Sequence, residues 1–169
     1  MIECSRLRLR RFRSEDLPHV VALESNPEIV APTGIRFPNT PDVTASRLQA
    51  WMARQDGALG IFACELCEAP HAFVGWFMVL PAENEWPEIG YMLLQEQWRK
   101  GYASEAVRAL ANYALALPDV PGLRALSDPE NISSCRVLEN AGFEFQETIK
   151  KWDKKLDREI DLKLYLRSR

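Results

Sequence analysis

The chain has little that would let it work in a membrane, in an oxidising compartment or on a metal. No apolar run approaches the length of a bilayer span, and the opening "MIECSRLRLR" contains no continuous apolar stretch resembling a secretory signal, so a cytosolic protein is expected. Four cysteines in 169 residues are too few for a disulfide framework, and a cytosolic setting keeps them reduced. Cys64 and Cys67 match C-x-x-C but have no second pair at ligand spacing, and His19 and His71 stand far apart in sequence, so no metal is implied. Charge of one sign is missing too: 21 basic against 24 acidic residues leave a net of -3, which gives no general attraction for nucleic acid or anionic lipid. Neither a P-loop nor a G-x-G-x-x-G segment occurs. Repeats, low-complexity tracts and linkers are absent, and 47% apolar content can build one continuous core, so residues 1–169 read as a single domain.

Periodicity supplies the elements. "RLRLR" at Arg6 to Arg10 alternates with period two and predicts a strand with Leu7 and Leu9 inward and its arginines in water. Ser14 offers a cap for a helix running to about Glu24, with Pro18 in its first turn. Four prolines, a glycine and two asparagines between Ser25 and Pro41 predict an irregular loop of the kind that carries substrate contacts. Thr40 and Pro41 then open a second helix that stops near Gly57. "LGIFACEL", "AFVGWFMVL" and, after the polar break at Glu83 to Trp86, "PEIGYMLL" predict three strands in an antiparallel meander.

The strongest helical period runs from Ala103 to Leu117, before Pro118. "GLRALS" reads as a short strand. A helix over Ser133 to Ala141 follows, opened by Asn131 and closed by Gly142. "FEFQETIKKW" and "REIDLKLYL" give two final strands joined by the charged run Lys150 to Arg158. The order β-α-α-β-β-β-α-β-α-β-β is that of a mixed, mostly antiparallel α/β domain in three layers.

One feature runs against local helix preference. Arg99 and Lys100 precede Gly101 at the start of a helix, where the dipole disfavours cations by a fraction of a kcal/mol, roughly. Exposed amides at a helix start bind anions, and the small Gly101 and Ala103 permit close approach, so the cations make sense if a diphosphate lies there. A K-G-x-A segment is weak evidence taken singly.

Two longer segments supply context. "PEIGYMLLQEQWRKGYASEA" resembles the strand, diphosphate loop and helix of the GNAT acyltransferases, and "NISSCRVLENAGF" resembles the second signature of that superfamily, with Asn131, Ser134, Gly142 and Phe143 in register. The opening "RLRLRRFRSEDL", the element order and the closing strand are similar to the Rim-like branch, which acetylates N-termini of ribosomal proteins. Trp98 stands where the motif has Gln or Arg, Arg99 replaces a frequent glycine, and Leu138 occupies the place of a tyrosine regarded as the general acid in many relatives.

The resemblance implies acetyl-CoA as cosubstrate. It places pantetheine along the backbone of Met92, Leu93 and Leu94, the diphosphate on the amides of Arg99, Lys100, Gly101, Tyr102, Ala103 and Ser104, and Asn131 and Ser134 beside the pantetheine and thiol. An amide of Met92 or Leu93 would serve the oxyanion, Glu88 would act as base through a water, and Ser134 would act as acid in place of the missing tyrosine. The implied acceptor is a primary amine, foremost the α-amine of a protein or peptide, with small-molecule amines as the alternative. A succinyl donor could use the same loop, and the assembly is a monomer or homodimer. A CoA-binding module without turnover, or an RNA contact through "KKWDKKLDR", are the readings from other classes.

Overall fold

The computed structural model describes residues 1–82 and 85–169, so the polar break expected from Glu83 lies partly outside the described residues. One eight-stranded sheet divides two helical layers, in the order β1-β2-β3-β4-β5-β6-β8-β7. Its strands are β1 (Ile2–Glu3), β2 (Leu7–Arg10), β3 (Gly60–Leu66), β4 (Phe73–Ala82), β5 (Glu85–Leu93), β6 (Gly122–Ser127), β7 (Glu144–Asp153) and β8 (Arg158–Ser168). The helices are α1 (Leu17–Glu24), α2 (Pro27–Val30), α3 (Pro41–Met52), α4 (Tyr102–Leu115) and α5 (Ile132–Asn140). The expected meander is present as β3-β4-β5, paired antiparallel throughout.

Alternation along the strands divides the core into two. Leu7, Leu9, Phe77, Ile89 and Leu93 pack with Val107, Leu110 and Ala114 of α4, whereas Ala63, Trp76 and Met92 pack with Val20, Leu23 and Leu48 of α1 and α3. Successive β5 residues therefore serve opposite layers, which later decides where its functional side chains point.

Four expectations change. Arg10 is buried rather than in water: its guanidinium meets Asp16 at 2.8 Å and Glu65 at 2.7 Å, because β2 runs inside the sheet and a buried cation needs paired carboxylates. Ser14 does not cap α1. Residues Ser14–Asp16 form a 3-10 turn, and the Asp16 carboxylate closes it by accepting from the Arg13 amide at 2.9 Å. The loop after α1 is organised, with α2 capped by Asn26 and the fully buried Glu24 carboxylate accepting from Asn39 (2.8 Å), Thr44 (3.0 Å) and Arg47 (3.1 Å). The chain ends α3 at Met52, short of the expected Gly57.

The joint between β5 and β6 positions everything else. These strands run parallel and share one registered pair, Glu88 with Arg124, while β5 continues to Leu93 against β4. Trp86 lies over Gly122 so closely that a Cβ there would meet its ring at 2.2 Å, so any other residue at that seam would have to displace the ring. Beyond the single pair the strands separate, and the second half of β5 has an open edge.

Candidate active site

A cleft of about 1040 Å³ opens where β5 and β6 part. Its walls include Glu88, Met92 and Leu93 from β5, Arg99, Gly101, Tyr102, Ala103 and Ser104 from the start of α4, and Asn131 and Ser134 from the start of α5. The structure thus gathers the expected residues around one space, apart from Leu94 and Lys100. Leu94 is buried in the α1–α3 core and its amide donates to the Val74 carbonyl at 3.0 Å, so that amide is already committed. Lys100 stands behind the lining: its ammonium donates to Gln97 at 3.1 Å, and its carbonyl accepts from Arg6 at 3.0 Å.

The Leu94–Val74 bond also fixes which β5 amides face the cleft. In an antiparallel ladder the bonded pairs recur every second residue, so Met92, paired with Trp76, directs its N–H and carbonyl toward β4. The 2.1 Å approach of a Cβ built on Gly75 to the Met92 carbonyl agrees with that direction. Met92 is therefore removed as an oxyanion donor, and the amides of Tyr91 and Leu93 point to the open edge. The Leu93 carbonyl accepts from the Trp98 indole at 3.0 Å, which ties the following loop to the end of β5 and gives the unusual tryptophan a local purpose.

The loop before α4 has the backbone of an anion cradle. Arg99 and Gly101 both adopt left-handed conformations, with φ of 61° and 80°. Glycine does so freely, whereas the arginine stores roughly 1 kcal/mol or more. No side chain caps α4, so its first-turn amides remain available to a ligand. Arg6 stabilises the arrangement from β2's side through a paired contact with Glu105, at 2.8 and 2.7 Å, in addition to its bond with the Lys100 carbonyl. Coenzyme phosphates fit such a site because it offers uncovered donors and no bulky Cβ.

Glu88 and Ser134 approach the cleft from different layers. Glu88 shares a β5 face with Met92, on the α1–α3 side. Burial raises its carboxyl above the usual range, while Lys151 draws it back. Arg124 lies beneath, with its Nε 3.4 Å from Glu88 and its Nη1 paired to Glu85. On the opposite face of β5, the Tyr91 hydroxyl lies 2.9 Å from Ser134 Oγ. Asn131 caps α5 by accepting from the Ser134 amide at 3.0 Å. Leu138 packs in the core at 1% exposure. Tyr91 and Arg124 were missed by sequence reasoning. Tyr91 read only as an apolar strand residue, and nothing local in "GLRALS" marks Arg124 as a partner of Glu88.

The far wall comes from two segments remote in sequence. Arg36 in the loop after α2 pairs with Asp153 at 2.8 Å and Asp128 at 3.4 Å, and the Lys155 ammonium donates to the Ile35 carbonyl at 2.6 Å. The charged run between β7 and β8 is therefore anchored over the cleft, with Lys151, Trp152, Lys154 and Lys155 in its lining. Among the described residues no cluster of three or more His, Cys, Asp or Glu could hold a metal ion, and no helix is long and apolar enough to cross a membrane. Cys64 is buried and Cys67 partly so, at the end of β3, and burial pushes the Cys4 thiol up to about 11.

Comparison with known proteins agrees with this geometry. Residues 6–144 match the family model described as an acetyltransferase (GNAT) domain. The chain is 29% identical over 166 residues to the uncharacterised N-acetyltransferase p20 of Bacillus licheniformis, covering 95% of this chain and 91% of that one. It is also 39% identical over 85 residues to the uncharacterised protein YkkB of Bacillus subtilis, a match spanning 48% of this chain and 49% of that protein's length. A crystal structure of a GNAT-family acetyltransferase from Bacillus anthracis superposes with a TM-score of 0.87 at 24% identity, covering 99% of this chain and 97% of that one, a likeness of fold.

Proposed function

The chain belongs to the GNAT acetyltransferase family, and from that premise we propose that it acetylates the α-amine of a protein or peptide, in the manner of the Rim-like branch, by direct attack on acetyl-CoA. That it is an acyl-CoA-dependent N-acetyltransferase follows from the family; the acceptor and the residue roles are the proposal. The observation that carries it is the convergence, on one cleft at the open edge of β5, of a partly buried carboxylate, a paired hydroxyl donor and an uncapped helix start.

In this reading the first-turn amides of α4 and the Arg99–Gly101 backbone hold the diphosphate, and the free edge of β5 receives the pantetheine. Glu88 accepts, through a water, the proton that the attacking nitrogen loses as its bond to the thioester carbon forms. The Leu93 amide steadies the resulting oxyanion, a contribution of a few kcal/mol, roughly, for a donor fixed in advance. As the carbon–sulfur bond breaks, Ser134, oriented by Tyr91, hands a proton to the departing sulfur. The parting of β5 and β6 allows base and acid, on opposite faces of one strand, to reach the same reacting atoms.

The amine class rests on proton energetics. An α-amine with pKa near 8 loses its proton at pH 7 for about 1.4 kcal/mol, whereas a lysine near 10.4 needs about 4.6. A single partly buried glutamate suits the smaller task. The test is thiol release by the purified protein with acetyl-CoA and three acceptors: a peptide with a free N-terminus, the same peptide N-acetylated but carrying lysine, and a polyamine. Fastest turnover with the free N-terminus supports the reading. Preference for either other acceptor overturns the acceptor, and saturable acetyl-CoA binding without turnover on any of them overturns the catalytic assignment.

A further inference from the structure

The sheet ends on a strand whose outer backbone edge pairs with no other among the described residues. β7 is an edge strand, and among the described residues no other strand lies beyond it. Eight of its ten residues are exposed, including Phe145 and Trp152 at 49% and 56%. A long edge with unpaired backbone groups is a template for another strand, and chains that remain monomeric blunt such edges with proline, bulges, short strands or charged side chains, lysine above all. Lys150 and Lys151 therefore admit only a partner strand that answers their charge. β7 contains no proline, and its irregularity against β8 is confined to Phe145–Glu147, so Glu147 to Asp153 run in unbroken register.

The order of side chains on this stretch is self-complementary. Two antiparallel copies related by a twofold axis through the sheet must pair residues that share a face, so the axis passes through a residue rather than between two. Centred on Ile149, the pairing sets Ile149 against itself, Thr148 against Lys150 and Glu147 against Lys151, twice over. Centred on Thr148 it sets Glu147 against Ile149. Centred on Lys150 it opposes that lysine to its own copy. One register alone of these three matches opposite charges across the axis.

We propose that β7 is a dimer interface, on which a second copy of this chain lays its own β7 antiparallel about Ile149, joining the two eight-stranded sheets. The interface adjoins the active site. Glu147, Ile149 and Lys151 share a face with Leu162 and Ile160 of β8, their register partners being Leu162 for Ile149 and Ile160 for Lys151. Lys151, Ile160 and Leu162 line the cleft, so Glu147 of the second copy stands against a lysine of the cleft wall.

Charge exchange tests this without depending on the acceptor or on turnover. Light scattering on the eluting full-length protein at micromolar concentration is expected to give twice the chain mass. Glu147→Lys sets four lysine side chains about the axis and Lys151→Glu sets four glutamates, so each single variant should dissociate about tenfold more readily or worse. The two single variants mixed in equal amounts should associate with each other, and the double variant Glu147→Lys/Lys151→Glu should recover the dimer. Circular dichroism checks that the variants, changed at exposed positions, remain folded. A monomeric wild-type protein, single variants that dimerise as well as wild type, or a mixture that stays monomeric would each overturn the proposal.

Discussion

Replacing Tyr91 with phenylalanine removes one hydroxyl from the cleft and keeps the ring that stacks on Phe77 at 5.9 Å. The bonds lost are the 2.9 Å contact with Ser134 Oγ and a weaker 3.3 Å donation to the Ser134 carbonyl. A buried hydroxyl pair of this kind contributes about 1 kcal/mol net. If Ser134 acts on the sulfur only while Tyr91 holds its rotamer, that energy appears in turnover, as a fall in kcat of about fivefold. The KM for acetyl-CoA should barely move, because Asn131 still anchors the Ser134 amide and the diphosphate loop is untouched. Burial pushes the Tyr91 hydroxyl well above its ordinary value, partly offset by the bond to Ser134, so the group stays protonated at every practical assay pH and the loss should be flat with pH. The decisive measurement is a double-mutant cycle on steady-state thiol release. In a Ser134→Ala background Tyr91→Phe removes only its bond to the Ser134 carbonyl, which delivers no proton, so the double variant should turn over as Ser134→Ala alone does. The same fivefold loss in both backgrounds, or a loss expressed in KM, would refute the coupling of the two hydroxyls.

Two further outcomes follow from charges. Glu88→Gln should cost about 10²-fold in kcat/KM at neutral pH and progressively less as rising pH deprotonates the amine unaided; because burial raises the Glu88 carboxyl, the acid limb of the wild-type profile should lie above the ordinary carboxylate range and vanish in the variant, and an equal loss at all pH values would remove the base. Arg10→Met leaves Asp16 and Glu65 buried without their cation, an expected loss of about 3–5 kcal/mol and about 10 °C in Tm by calorimetry. Burial opposes ionisation of Asp16, but Arg10 and the Arg13 amide hold its pKa below the ordinary value, so its stabilisation is complete above the unfolded-state pKa and disappears as pH falls through the lower folded value. Acid unfolding should therefore begin at higher pH in the variant, and an unchanged acid midpoint would contradict the network.

The fold was legible in the sequence wherever periodicity ran long. α4, the β3-β4-β5 meander and the Asn131 and Thr40 caps needed only local rules, since side-chain spacing and first-turn donors are short-range properties. Arg10 was misjudged because alternation identifies two faces without saying that both are covered, and β2 lies inside a sheet where Glu65 of β3, in register with Arg8, reaches Arg10 diagonally. β1 went unseen because two residues carry no period. In the site, motif positions led to Glu88, Gly101, Asn131 and Ser134, whereas Tyr91, Arg124 and the Arg36–Asp153 tie emerge only when segments distant in sequence meet. The choice between Met92 and Leu93 required a single hydrogen bond, from Leu94 to Val74, that no composition rule contains.

The lone registered pair between β5 and β6 also bears on how the molecule coheres. Strands β1 to β5 form one slab and β6, β8 and β7 another, and the ladder that would normally weld them is interrupted over half its length. In the proposed reading a cosubstrate in that gap would touch both slabs, so its binding free energy would add to the cohesion of the whole, by roughly 2.7 kcal/mol at a hundred times its Kd. Catalytic readiness and mechanical integrity would then draw on the same unmade contacts, and a chain emptied of its acyl carrier would be the looser form.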